Sequence, residues 1–183
     1  MNGKARFACQ LALGLCALPA LAQATASQNF TATVQILTPI SWAKTADLNF
    51  GAITAPTAGS ADMTLVLKAS DASRTYTGGD GALVTGITAT TPTAAAATLT
   101  SEAAYQVDLT LTGSYTDLAS GLTLSAATVN VVGGSVHDVA IPTNYVPAAG
   151  TQDLTFGATV LIPKGTSTGT KGAGAFSITA TYH

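Results

Sequence analysis

Residues 174–183 read Gly-Ala-Phe-Ser-Ile-Thr-Ala-Thr-Tyr-His, and side chains along an extended chain alternate sides with a period of two. Phe176, Ile178, Ala180 and Tyr182 then share one face, and Ser177, Thr179 and Thr181 the other, the pattern of a strand with one face on a core. The chain stops one residue after this strand, so the strand is expected inside the fold, inserted between others or paired along a sheet edge.

Segments of the same kind recur along the chain. Residues 30–37 set Phe30, Ala32, Val34 and Ile36 against Thr31, Thr33 and Gln35 and predict a half-buried first strand, turned by Thr38-Pro39. Residues 40–42 form a short extended piece. Residues 47–53 predict a strand interrupted at Gly51 by a bulge or a close backbone approach. Residues 63–68 are strongly strand-forming, and 69–81, rich in Ser, Asp, Thr and Gly, predict a loop. A strand follows at 83–90. The alanines of 91–97 lack a surrounding apolar period, so that stretch predicts a loop or short strand and not a helix. Residues 105–112 alternate cleanly, 122–124 and 129–132 read as two strands, and 137–150, with Pro142 and Pro147, is the longest irregular stretch. A long strand at 153–163 and a Gly/Thr/Ser connection lead into the final one. No amphipathic helix of three turns is present. About eight to ten short strands separated by turn signals predict an all-β fold, an antiparallel β-sandwich of immunoglobulin-like, Greek-key type.

At the N-terminus Lys4 and Arg6 precede a nearly continuous apolar run over residues 7–21, and Ala22-Gln23-Ala24 supplies small residues at cleavage positions. Residues 1–24 are expected to be a signal peptide cleaved after Ala24; a second site, Ala24-Thr25-Ala26, would start the mature chain at Ser27 instead of Thr25. The apolar run is short of the roughly 20 residues of a membrane span and breaks at Pro19, so no span is expected after cleavage. Residues 25–183 then make one domain. Cys9 and Cys16 both lie in the signal, which leaves the mature chain without disulfide or thiolate metal chemistry, and Leu15 is a poor neighbour for lipid attachment at Cys16. The expected location is the periplasm, cell surface or surroundings of a bacterium with a Gram-negative-like envelope.

Without Lys4 and Arg6, five basic residues face nine acidic ones, a net charge of −4. Lys44, Lys68, Arg74, Lys164 and Lys171 are scattered singly, which argues against nucleic acid as a partner. Charged residues make up 9% of the chain, so Thr, Ser, Gln and Asn must supply most of the polar surface, one that tolerates packing against copies of itself. Ser135, His137 and Asp138 are the sole grouping suggestive of nucleophilic catalysis. They are adjacent in sequence and lack a strand-turn-helix setting, so they read as a loop, and no enzyme activity is expected. Gly78-Gly79-Asp80-Gly81 reads as a turn, since calcium takes about 6 to 8 oxygen ligands. Trp42 and Tyr145 read as core in preference to sugar-stacking aromatics. Asn29-Phe30-Thr31 fits a glycosylation acceptor, a short pattern that recurs by chance. No cofactor is expected.

Residues 30–36, followed by 45–51 with Leu48-Asn49-Phe50-Gly51 as the strongest element, resemble the opening of an exported bacterial family of β-sandwich domains of unknown function, related to spore coat protein U and the archaic chaperone–usher pilins. Residues 174–183, with Tyr182 penultimate, are similar to the terminal pilin strand that a periplasmic chaperone holds during assembly. The likeness covers the two ends and leaves 69–150 without a counterpart. It implies a pilin-like sandwich that lacks one strand, filled by an N-terminal segment of the next subunit; main-chain hydrogen bonds give affinity and alternate side-chain pockets give specificity. Phe30, Ala32, Val34 and Ile36 would be the donor residues, with copies of the chain or a periplasmic assembly chaperone as partners. The expected function is an exported structural or fimbria-like surface subunit. The alternative is a secreted monomeric module, complete in itself, holding a glycan or protein with loops 69–81 and 137–150. The two differ in whether residues 30–37 are exchanged or packed at home.

Overall fold

The threonine, valine and alternating apolar content of the chain favours pleated, half-buried backbone, and among the described residues the regular structure is strand. A computed structural model describes residues 28–85, 91–112, 115–116, 121–172 and 176–183; the signal segment and its Ala24 site lie outside them. The chain divides into two units, Met1–Gln35 and Ile36–His183. In the first, residues 28–35 carry no strand.

The second unit contains β1 (Ser41–Ala46), β2 (Ile53–Thr54), β3 (Met63–Leu67), β4 (Arg74–Thr77), β5 (Ala82–Leu83), β6 (Ala95–Thr100), β7 (Val107–Thr112), β8 (Tyr115–Thr116), β9 (Thr123–Val131), β10 (Val139–Ala140), β11 (Thr143–Tyr145), β12 (Thr151–Ile162) and β13 (Ser177–Tyr182). The large sheet runs β1-β6-β12-β3-β4, with β9 also on β12 and with β8 and β10 on β9; a second sheet runs β11-β7-β13, and β2 pairs β5. Among the described residues every ladder is antiparallel. The fold is the all-β antiparallel sandwich that the alternation predicts.

β12 organises the large sheet. One edge pairs β9 from Leu154 to Leu161. The other is shared in sequence, β6 taking residues 151–156 and β3 taking 158–162. Gly157 sits at the changeover. A Cβ there would lie 2.2 Å from the Leu67 carbonyl oxygen and 2.6 Å from the Ala69 nitrogen, so the chain leaving β3 passes this position only because no side chain is present.

The apolar interior forms two clusters. One gathers Leu99, Val107, Leu109, Val129, Leu154 and Phe156 between the sheets, with Phe176, Ile178, Ala180 and Tyr182 packed against it. The other holds Met63, Leu65, Leu122, Val160 and Ile162, with Phe50, Ile53 and Leu83 beside them.

Several expectations are corrected. Residues 30–37 are not a half-buried strand: no strand forms, and Phe30, Val34 and Ile36 are 90%, 86% and 88% exposed, because apolar alternation yields a strand only where a partner edge completes the ladder. The strand expected at 47–53 shrinks to a single bridge at Asn49 and to Ile53, which opens β2; at the expected interruption Asn49 Oδ1 accepts the Gly51 N–H at 2.8 Å and Gly51 has φ 72°, a conformation suited to glycine. Loop 69–81 contains β4, which pairs β3. Of the loop or short strand expected at 91–97, the strand is found from Ala95, and it runs on to Thr100 inside the large sheet. The irregular stretch 137–150 contains β10 and β11. Of residues 83–90, Leu83 ends β5, while 86–90 lie outside the described residues.

Candidate functional site: an apolar groove bordered by the last strand

The inner face of the large sheet supplies the floor of a groove of about 1380 Å³. Small Ala95 and Ala97 on β6 leave room on that face. Trp42 of β1 and Phe156 of β12 meet edge-on, centroids 6.0 Å apart at 63°. Leu65, Val160 and Ile162 continue the floor into the second cluster, and Phe176 and Ile178 of the β13 segment form the facing wall with residues 165–172. The groove therefore touches both apolar clusters. Among the described residues β13 pairs only β7, from Ser177↔Thr112 to Tyr182↔Val107, and it ends its sheet. Phe176, Ile178, Ala180 and Tyr182 are half-buried on the core side, whereas Ser177, Thr179 and Thr181 are exposed, as their alternation predicts.

Leu48-Asn49-Phe50-Gly51 forms part of the rim. Asn49 exchanges main-chain hydrogen bonds with Thr93 at 2.9 and 2.8 Å. Arg74 faces inward from β4, opposite Leu67; its Nη1 donates to the carbonyls of Phe50 (2.9 Å) and Ala52 (2.8 Å), and its Nη2 to that of Val84 (2.9 Å). One guanidinium thus fixes the rim by its backbone. Asp80 holds the next turn, accepting from the Thr57 amide and hydroxyl, both at 2.7 Å. Those hydrogen bonds lower its carboxyl from 3.8 to about 2.

At the other end of β13, Tyr182 donates its hydroxyl to the Thr38 carbonyl at 2.6 Å and accepts the Glu102 N–H at 2.6 Å. Glu102 Oε2 accepts from the Thr38 hydroxyl at 2.7 Å and the Thr38 N–H at 3.1 Å, which holds the carboxyl below its ordinary value. The Tyr182 ring stands edge-on to Tyr105, centroids 6.5 Å apart.

Residues 40–182 match a family described as a domain of unknown function, DUF4402. The chain belongs to the DUF4402 family. The match takes in the rim segment 48–51, the groove floor and β13, and it begins after residues 30–36. It supports the coarser part of the resemblance, a domain of unknown function, and does not extend to spore coat protein U or to chaperone–usher pilins. No curated protein and no solved structure matches the chain.

His137 and Asp138 of this DUF4402 domain are tied to structural partners. His137 Nδ1 lies 2.7 Å from Asn130 Oδ1, so Nδ1 carries the proton, and Asn130 Nδ2 donates to Thr155 at 2.9 Å. The Asp138 carboxylate is engaged by the amide and hydroxyl of Ser70, so it does not orient His137; that contact joins loops 69–81 and 137–150. Among the described residues no three His, Asp or Glu side chains gather as a metal site, and no helix is long and apolar enough to cross a membrane. Tyr145 is buried, and its hydroxyl meets no partner among the described residues; burial raises it to about 12. Sequence reasoning missed Arg74. Its signal was the alternation Arg74-Thr75-Tyr76-Thr77 after a Ser/Asp turn.

Proposed function

We propose that this protein is an exported structural subunit of the cell surface that assembles head to tail, residues 30–36 of one copy filling the groove of the next. What supports this reading is one combination: a groove lined by Phe176 and Ile178 of the β13 segment, a strand that pairs only β7 among the described residues, and an alternating apolar segment of the same chain that stands exposed. The lengths agree. Residues 30–36 extended span about 20 Å at roughly 3.3 Å per residue, the reach of a six-residue strand such as β13. The added strand would gain main-chain bonds along that edge and set Phe30, Ala32, Val34 and Ile36 against the two clusters, the β-strand addition mode of recognition. Burial of Phe30, Val34 and Ile36 contributes about 1.5–3 kcal/mol each, less the cost of ordering the segment. The likeness of residues 30–36, 45–51 and 174–183 to pilin-type subunits points the same way, with a periplasmic chaperone as the holder of the groove before assembly. The second reading, a secreted monomeric module for a glycan or protein, draws on the Ser70–Asp138 contact between its two loops.

Size-exclusion chromatography with light scattering on the mature chain separates the two. A ladder of oligomers, shortened by a synthetic peptide of residues 28–37 and not by the same peptide carrying Val34→Asp, is expected. A single monomer peak that takes up no peptide rejects strand donation and favours the module.

A further inference from the structure

The N-terminal segment joins the sandwich at Thr38, and each polar group of that residue is held by a side chain of the body: its N–H and hydroxyl by Glu102, its carbonyl by the Tyr182 hydroxyl, which also accepts the Glu102 N–H. Pro39 follows and keeps Thr38 extended. Such a hold matters because a strand on the same chain competes for the groove at a local concentration on the order of millimolar, above that of other copies in a micromolar solution. Without an opposing device, each groove would be filled from within.

Chain direction supplies the opposition. Tyr182 is the last residue of β13, so a segment lying along β13 and ending at Thr38 runs toward the same end as β13, parallel to it. Every ladder described in this fold is antiparallel, and parallel pairing is slightly less stable per residue. With both main-chain groups of Thr38 engaged, the chain has no slack there with which to turn into the groove or adjust its register. A segment arriving from a second copy has no such tether and is free to lie antiparallel to β13, the pairing of every ladder described in this fold.

We propose that the hold of Glu102 and Tyr182 on Thr38 keeps the chain from filling its own groove and so directs residues 30–36 to a second copy; this rests on the strand-donation reading above. Glu102 and Tyr182 are then positioning residues, acting on assembly through Thr38 and not through the inserted strand. The lowered Glu102 carboxyl, stabilised first by the Thr38 hydroxyl and then by its amide, agrees with a hold that is set at neutral pH.

The test compares the mature wild-type chain with the double variant Glu102→Gln, Tyr182→Phe, reading oligomer size and uptake of a dye-labelled peptide of residues 28–37. The expected result is a wild-type ladder that the peptide shortens, and a variant that elutes mainly as a monomer, keeps its circular dichroism and takes up no peptide, having closed on itself. A variant with the wild-type ladder, or a variant monomer that still takes up peptide, overturns the inference and leaves strand donation standing. A wild type with neither ladder nor uptake overturns both. Should the double variant lose its fold, Glu102→Gln alone, which leaves the Tyr182 ring on Tyr105, decides by the same two readouts.

Discussion

Arg74 carries an inward-pointing charge on an edge strand, a device that discourages further strand pairing, and its three hydrogen bonds to carbonyls replace the carboxylate partner such a group usually takes. Hydrogen bonds to charged groups are worth about 1.5–3 kcal/mol, so Arg74→Ala is expected to destabilise the domain by about that much and to loosen the rim. Arg74→Lys should recover only part, because an ammonium lacks the planar fork that serves three acceptors; thermal melts of the three proteins check the order. Tyr145→Phe should fall within about 1 kcal/mol of wild type or gain slightly, since it removes a buried hydroxyl that has no partner among the described residues. Asp80 gives a pH dependence of known sign. Its folded value lies below its ordinary one, so its contribution is complete above 3.8 and is lost as the pH falls toward about 2. The difference in melting temperature between wild type and Asp80→Asn should therefore be widest near neutral pH and shrink across that acid window. None of these roles was legible in the sequence. Arg74, Asp80 and Tyr145 stand in stretches rich in Ser, Thr, Gly, Asn or Pro, and the carbonyls and hydroxyls they meet, or fail to meet, lie outside the local pattern.

At the level of elements, the final strand was legible in full, because Phe176, Ile178, Ala180 and Tyr182 alternate without interruption and β13 keeps one register along β7. Tyr182→Asp should accordingly cost several kcal/mol of stability, by placing a carboxylate against the cluster around Val107 and Leu109, while Thr181→Asp on the exposed face changes little. Equal losses in thermal melts would contradict a one-sided strand. β9 was legible only in halves. Its buried apolar residues are Leu124 and then Ala127, Val129 and Val131, a change of parity that a strict period of two reads as two strands. The structure absorbs the change in a bulge, where Thr159 pairs Ala126 and Val160 pairs Leu124, so one continuous strand presents both sets to the core. Gly157 belongs to the same class of feature. Its place in a strand was clear and its reason was not, since the Leu67 carbonyl that excludes a side chain comes from 90 positions earlier, as the numbering shows. Gly157→Ala is expected to destabilise by about 1–3 kcal/mol through overpacking, measurable by denaturant unfolding.

At the scale of the whole molecule, the exposed segment and the groove predict a separation of stability from assembly. Val34 is 86% exposed, so Val34→Asp should leave the unfolding of the isolated chain unchanged while abolishing the oligomer ladder; a lowered melting temperature in the monomer would show instead that residue 34 packs at home. The proposed head-to-tail insertion would join unlike surfaces, and contacts of that kind generate open filaments unless the rotation closes a ring. Alternation at residues 30–36 was visible from the start. Its lack of a partner strand was not, because periodicity records which side chains seek burial and is silent on which chain buries them.

Under the proposed strand donation, an interior divided into two clusters with an open groove touching both would also tie folding to concentration. Whatever occupies the groove binds the folded chain and not the unfolded one, so it raises apparent stability in proportion to the logarithm of its own abundance. If the occupant is another copy, no single melting temperature characterises this protein: each subunit would be sturdiest inside a long chain, weakest at the uncapped terminus, and dilution alone would act as a denaturant.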